Sequence, residues 1–338
     1  MFYRDVWVVC LTMVDQPLVI SAKSSFYQKK RHRDLRQRLI ETLLFLAALS
    51  SVLTTIAIMV LLVTESLPLF QKVSIVEFLT GREWAPLFDP PRYGILPLVC
   101  GTFVTSMVAL CVAIPMGTIA AIYLSEFAAP KLREVAKPIL EVLAGIPTVV
   151  YGYFALLFVT PVLQILYNPL GEKLSEWLPD LFPYELDGFN MLGPGIVMGI
   201  MITPTISSIS EDAMRAVPVE LREGSYATGA TRFQTAWKVV FPAAISGIIA
   251  SYILGISRAV GETMIVAVAA GLQPTLTLNP LRPAATITTY IVQVSLGDTP
   301  HGTIGYQTIF AAGLTLVLLT LFFNVIGYFL SRRFRETY

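Results

Sequence analysis

Six stretches of this sequence stay apolar for the length that a membrane crossing requires. A helix needs about 20 mainly apolar residues to cross the hydrocarbon of a bilayer. The stretches fall at residues 39–63, 95–123, 138–165, 192–210, 244–271 and 306–330. The second and third exceed the minimum and contain Pro97, Gly101, Pro115, Gly117, Gly145 and Pro147. Residues of this kind predict tilts or kinks, with freed backbone groups satisfied inside a bundle. The pattern predicts an all-α polytopic membrane protein with six transmembrane helices.

The polar segments between these stretches differ in charge. Lys and Arg number 18 in residues 1–38, 124–137, 211–243 and the tail, against 5 in the three opposite loops. Cytoplasmic loops carry the excess of Lys and Arg, so both termini and the 211–243 loop are expected inside. Residues 1–38 form a basic cytoplasmic arm, and residues 39–338 form the transmembrane domain. The apolar run at 6–13 is broken by Asp15 and Pro17, too short to span. No cleavage site follows it, which argues against a signal peptide. An interfacial helix and a true start at Met13 both stay open. The outer loops, at 64–93, 166–191 and 272–305, are long, rich in proline or acid, and suited to docking an external protein; ordinary connectors explain them equally well.

Composition agrees. The 338 residues are 55% hydrophobic and 14% charged, whereas a soluble domain carries about 25% charged residues. A net charge of +1 gives no footprint for nucleic acid. Three scattered cysteines make neither a metal site nor a disulfide framework. Cys100 and Cys111, on one expected helix, lie about 16 Å apart, too far to bond. His32 and His301 are isolated. No nucleophile–base pair or metal cluster sits in a span, so an enzyme is not expected. No G-x-x-x-x-G-K-[ST] occurs, so ATP and Mg would be held by a separate subunit.

One constellation inside a span can carry chemistry: Gly255, Ile256, Ser257, Arg258, Ala259, Val260, Gly261, Glu262 and Thr263. An intramembrane charge costs roughly 2.5–3.5 kcal/mol on insertion scales and normally faces a bundle interior or a watery path. On a continuous helix Arg258 and Glu262 stand four residues apart and share a face. Two readings follow. A salt bridge could lock two helices. Alternatively, Arg258 is the transient ligand of a passing anion, Glu262 is its resting counter-ion, and Ser257 and Thr263 flank the path.

The second constellation is the polar segment 223–242. Glu220 and Glu223 follow Pro218 in a first short helix. Gly229 suits a turn that needs positive φ or close packing. Thr231 can cap a second helix over 232–240 that ends at Pro242. Tyr226, Phe233 and Trp237 give it an apolar face. On pattern alone, an amphipathic surface loop fits as well as a handle for a soluble partner.

The spacing from Glu223 through Gly224 and Gly229 to Val239, Phe241 and Pro242 resembles the "EAA" loop of ABC-importer permeases. Four further stretches resemble the permeases of phosphate-specific transport (Pst) systems, on the PstC rather than the PstA side. They are Arg82–Trp84 with Tyr93–Pro97 and Gly101–Ser106; Ile114–Gly117 with Tyr123–Glu126; Glu141 through Gly145, Ile146, Pro147, Tyr151 and Gly152; and Arg258 through Thr263. Together they cover residues 40–330. Gly224 and Ser225 stand where the class usually has two alanines.

The resemblance implies a type I (MetI-like) importer permease of the bacterial cytoplasmic (inner) membrane, with cytoplasmic coupling helices. Its implied partners are a PstA-like second permease, a PstB-like ATPase dimer, a PstS-like phosphate-binding protein outside, phosphate as cargo and membrane lipid. The loop residues Glu220, Glu223, Gly224, Tyr226, Gly229, Phe233, Trp237, Phe241 and Pro242 would meet the ATPase, and Arg258 and Glu262 would serve phosphate passage. Sulfate or molybdate stays open as cargo, because one Arg–Glu pair cannot choose among tetrahedral oxyanions. A stand-alone secondary transporter would need an inverted repeat or a second intramembrane acid, and neither is seen.

Overall fold

The computed structural model describes residues 17–178, 182–300 and 302–333, with the backbone alone for residues 17–36. The apolar run at 6–13 and His301 lie outside these residues. The chain divides into two units, residues 1–61 and 62–338. Within the first, residues 17–61 are the leading part of a single helix, α1 (Pro17–Phe70), which joins the later part of the expected basic arm to the first apolar stretch without a break. From residue 37 to 60 its side chains are exposed within the chain, as suits a helix whose surroundings are lipid or a partner.

In the second unit, α2 (Ile75–Thr80) and a two-residue hairpin, β1 (Trp84–Ala85) and β2 (Arg92–Tyr93), build a small outer platform. Edge-to-face rings join it together, with Phe70 on Phe78 at 5.2 Å and Phe78 on Trp84 at 6.1 Å. The 64–93 segment is therefore a packed element, not a loose connector.

Helix α3 (Leu96–Ile122) continues through one π-helical turn, Tyr123–Phe127. Next comes α4 (Pro130–Ala144), then a break at Gly145, Ile146 and Pro147. Past the break run α5 (Thr148–Phe154), a π-helical turn (Ala155–Val159) and α6 (Thr160–Ser175). The apolar helix long enough to cross here covers Thr148–Ser175, ten residues beyond the expected 138–165. The reason is a change of period. Leu132, Val135, Ile139 and Val142 mark one exposed stripe of α4, while its charged residues occupy the rest, so α4 is an amphipathic helix that the Gly–Ile–Pro break separates from the span.

Helix α7 (Leu192–Arg215) is the most buried of the long helices and packs along α3. Gly195 and Gly199 form a small-x-x-x-small contact, because a Cβ at Gly199 would lie 2.7 Å from the Ala109 carbonyl oxygen. Beyond α7 lie α8 (Val219–Ala227), α9 (Arg232–Thr235), a π-helical turn (Ala236–Val240) and α10 (Phe241–Ala243). A bend of 72° then leads into α11 (Ile245–Val260). The short α12 (Met264–Ala269), α13 (Ile287–Ser295) and α14 (Ile304–Arg333) complete the chain.

The expected fifth span at 244–271 is thus not one helix. Among the described residues, five helices are long and apolar enough to cross a membrane, and a sixth is counted only if the bent pair 232–260 acts as one. The 272–305 segment likewise holds a packed helix, α13: Thr286 caps it, Tyr290 packs edge-to-face on Trp84 at 5.0 Å, and one of its faces is buried. Cys100 and Cys111 are both free.

Candidate functional site: a broken helix and a polar helix–turn–helix

Arg258 occupies the last turn of α11, where a cation meets the negative end of the helix dipole. Gly261 ends that helix, and the chain leaves helical geometry at Thr263 (φ −117°, ψ −55°). The backbone change redirects Glu262. Its carboxylate accepts hydrogen bonds from the Met264 and Ile265 amides, at 3.0 and 3.3 Å, and caps α12. Its backbone carbonyl accepts the Thr288 hydroxyl of α13 at 2.8 Å. No ion pair joins Arg258 to Glu262, and among the described residues no carboxylate lies within 4.0 Å of the Arg258 guanidinium. The expected resting pair is therefore corrected: the shared face required a continuous helix, and Gly261 ends it.

The same break brings two distant motifs together. Gly152 of α5 lies against α12, where a Cβ would meet Val268 Cβ at 3.1 Å and the Met264 carbonyl at 3.2 Å. Tyr151, beside it, is near enough to feel the Arg258 charge, and its hydroxyl donates to the Leu143 carbonyl at the end of α4. The Gly145–Gly152 run thus packs, through Gly152, against α12, the helix that follows the Arg258–Thr263 run. Ser257 faces another way, donating to Asn324 Oδ1 of α14 at 2.8 Å. Thr263 is half-buried beside Gly261.

The segment after α7 forms a helix–turn–helix. Gly229 makes its turn at φ +84°, a conformation that costs an L side chain roughly 1–2 kcal/mol. Thr231 and Gln234 exchange a reciprocal capping box, and Ser225 bonds Thr235 across the turn at 2.9 Å. Glu220, Glu223, Gly224, Tyr226, Phe233, Trp237 and Pro242 are all exposed. Trp237 stacks on the half-buried Phe241 at 5.1 Å. Phe233 is 65% exposed on this aromatic face, which is set among charges.

Two clusters depend on partners far apart in the sequence. Glu211, fully buried, meets Lys137 Nζ at 3.1 Å, with Arg215 and Arg133 at 3.8 and 3.9 Å. Lys137 also pairs with Asp212. Partial burial alone would lower the Lys137 pKa, but its bonds to Asp212 and Glu211 and their charges outweigh that and hold it above the ordinary lysine value of 10.5. Arg222 of α8 meets Glu126 at 3.1 Å.

Comparison with known proteins fixes the lineage. Residues 113–336 match the model of the binding-protein-dependent transport system inner membrane component family. The chain belongs to that family. It is 36% identical over 309 residues to a probable ABC transporter permease protein, YqgH, of Bacillus subtilis, covering 90% of this chain and 94% of that one. It is 32% identical over 262 residues to the phosphate transport system permease protein PstC of Mesorhizobium japonicum, covering 76% and 78%. The probable PstC protein of Methanocaldococcus jannaschii is 31% identical over 278 residues, covering 80% and 86%. A chain of the bacterial alginate ABC transporter, solved with its alginate-bound periplasmic protein, shares the fold at TM-score 0.57 and 17% identity, covering 87% of this chain and 96% of that one. The protein is therefore a multi-pass membrane permease with the ABC-importer permease fold, a transport component.

Proposed function

We propose that this permease forms half of the translocation path of an ATP-driven phosphate importer, with both termini and the 211–243 segment in the cytoplasm. The names of its relatives support phosphate, and the charge distribution supports the orientation. ATP and Mg would sit on a separate PstB-like ATPase docked at Glu220, Glu223, Gly224, Tyr226, Gly229, Phe233, Trp237, Phe241 and Pro242. A PstA-like permease would complete the path, and a PstS-like binding protein would deliver cargo from outside.

The observation that carries the path reading is the unpaired Arg258 guanidinium at the helix break. A phosphate ion arriving there displaces no carboxylate and gains charge-assisted, fork-shaped hydrogen bonds. Glu262 serves by holding the break open, capping α12 rather than neutralising Arg258. Ser257 and Thr263 would flank the path on either side of Arg258 in the sequence, with Ser257 turned toward Asn324 of α14. In the mechanism, ATP-driven closure of the ATPase moves the α8–α10 segment, which feeds directly into α11 and so shifts Arg258 between outward and inward exposure. The test is Arg258→Gln in a reconstituted complex. ATP-driven uptake of labelled phosphate should vanish while the permeases and ATPase still co-purify, and normal uptake by this variant would overturn the path role.

A further inference from the structure

The Arg222 side chain makes three hydrogen bonds that tie α8 to neighbouring elements. It lies one turn into α8, and its guanidinium leaves the exposed face of that helix. One terminal nitrogen donates to the Val217 carbonyl at 2.6 Å. The other donates to the Met214 carbonyl at 2.8 Å and to Glu126 Oε1 at 3.1 Å. Met214 belongs to the last turn of α7, Val217 to the link between α7 and α8, and Glu126 to the π-helical turn that ends α3. The arginine and glutamate side chains are only 17% and 6% exposed.

The bonds sit over a core that contains the ends of the same elements. Ala121, Met214, Val217, Val240, Ala244 and Ile248 pack there, with Leu221 and Phe241 against them. Ala244 and Ile248 lie at the start of α11, the helix that carries Arg258. Apolar packing of this kind resists separation but is non-directional. Arg222 adds direction, because a planar guanidinium holds its acceptors in one fixed fork and a lysine ammonium does not.

We infer that Arg222 is a positioning residue for energy coupling: it makes α8 and the cytoplasmic ends of α3 and α7 move as one body, so that a displacement of the docking segment reaches the helices that line the path. The inference rests on the reading that 219–242 docks the ATPase. It predicts that loss of Arg222 separates ATP hydrolysis from transport and leaves docking intact, because the Arg222 side chain is turned inward at 17% exposure whereas Glu220, Glu223, Gly224 and Tyr226 are exposed.

The experiment uses the complete complex, two permeases with ATPase and binding protein, in proteoliposomes, and reads phosphate imported per ATP hydrolysed. For Arg222→Ala this ratio should fall about tenfold or more, the factor expected for losing charge-assisted hydrogen bonds, with hydrolysis within about twofold of the parent. A ratio equal to that of the parent, with both rates unchanged or both reduced in proportion, overturns the inference. If Arg222→Ala does not assemble, Glu126→Gln decides: it keeps both carbonyl bonds and weakens only the link to α3, and the ratio should fall about threefold. An unchanged ratio in Glu126→Gln overturns the inference. A separate arm places a cross-linkable thiol by Tyr226→Cys in the otherwise unaltered complex. Absence of a cross-link to the ATPase overturns the docking reading itself, and its presence with an unchanged Arg222→Ala ratio overturns the coupling role alone.

Discussion

Replacing Lys137 with methionine should free α4 from the end of α7. Helix α4 buries none of its own residues, so little apolar packing fastens it. What fastens it is charge. Glu211 is fully buried, and Lys137 supplies its one hydrogen bond among the described residues, at 3.1 Å. The other oxygen, Oε1, has no hydrogen-bond partner, with Arg215 and Arg133 standing off at 3.8 and 3.9 Å. Removing one partner of a buried pair costs about 3–5 kcal/mol. The two remaining arginines place this site at the low end, about 3 kcal/mol. Since each 1.4 kcal/mol is a factor of ten, amides of residues 131–144 should exchange hydrogen roughly 150-fold faster. Glu211→Gln alone should cost about 2 kcal/mol, because the cations it leaves are partly exposed and rehydrate. The Lys137→Met/Glu211→Gln double variant should cost about 2 kcal/mol less than the sum of the two. Hydrogen exchange followed by mass spectrometry on the detergent-solubilised protein reads all three variants. An acceleration under about threefold in Lys137→Met, or additive effects in the double variant, would refute the idea that this cluster holds α4.

The pH dependence of the same contact has a definite sign. The Lys137 pKa is raised in the fold, so its contribution is complete below 10.5 and is lost as pH climbs from there through the raised value; α4 exchange protection, corrected for intrinsic rates, should be flat through neutral pH and fall only in strong alkali. Gly229→Val places a β-branched residue at φ +84° and should cost about 1–2 kcal/mol, seen as faster exchange over 227–235 and slower phosphate uptake. Gly152→Val drives a side chain into Val268 and the Met264 carbonyl; overpacking should cost about 1–3 kcal/mol, and a thermal-shift assay checks it. Trp237→Ala, at an exposed position, should leave the melting temperature unchanged while reducing co-purification of the ATPase.

Much of this was legible because single residues carried it. Thr231 and Gly229 announced the second helix of the 219–242 segment and its turn, and both are found in those roles. Hydropathy located the apolar helices but blurred two boundaries. At 138–147 it merged an amphipathic helix with the span, although the period of apolar residues and the Gly145-x-Pro147 break marked the division. At 261 an i, i+4 argument assumed a helix that a C-cap glycine was already ending, and Glu262 read as a partner for Arg258 when its spacing also suited a cap for the next helix. The links from Lys137 to Glu211 and from Arg222 to Glu126 left no trace in the sequence, because the partners lie 74 and 96 positions apart in the chain. Only packing joins such residues, and one sequence does not record it.

Uptake by the Arg258→Gln variant tests the central claim most directly. The wild-type complex and the variant would be reconstituted with ATPase and binding protein, with assembly verified by co-purification, and labelled phosphate import would be followed with ATP present. An unpaired guanidinium that receives phosphate at the break between α11 and α12 predicts no ATP-dependent import by the intact variant complex. Import at the wild-type rate would contradict it.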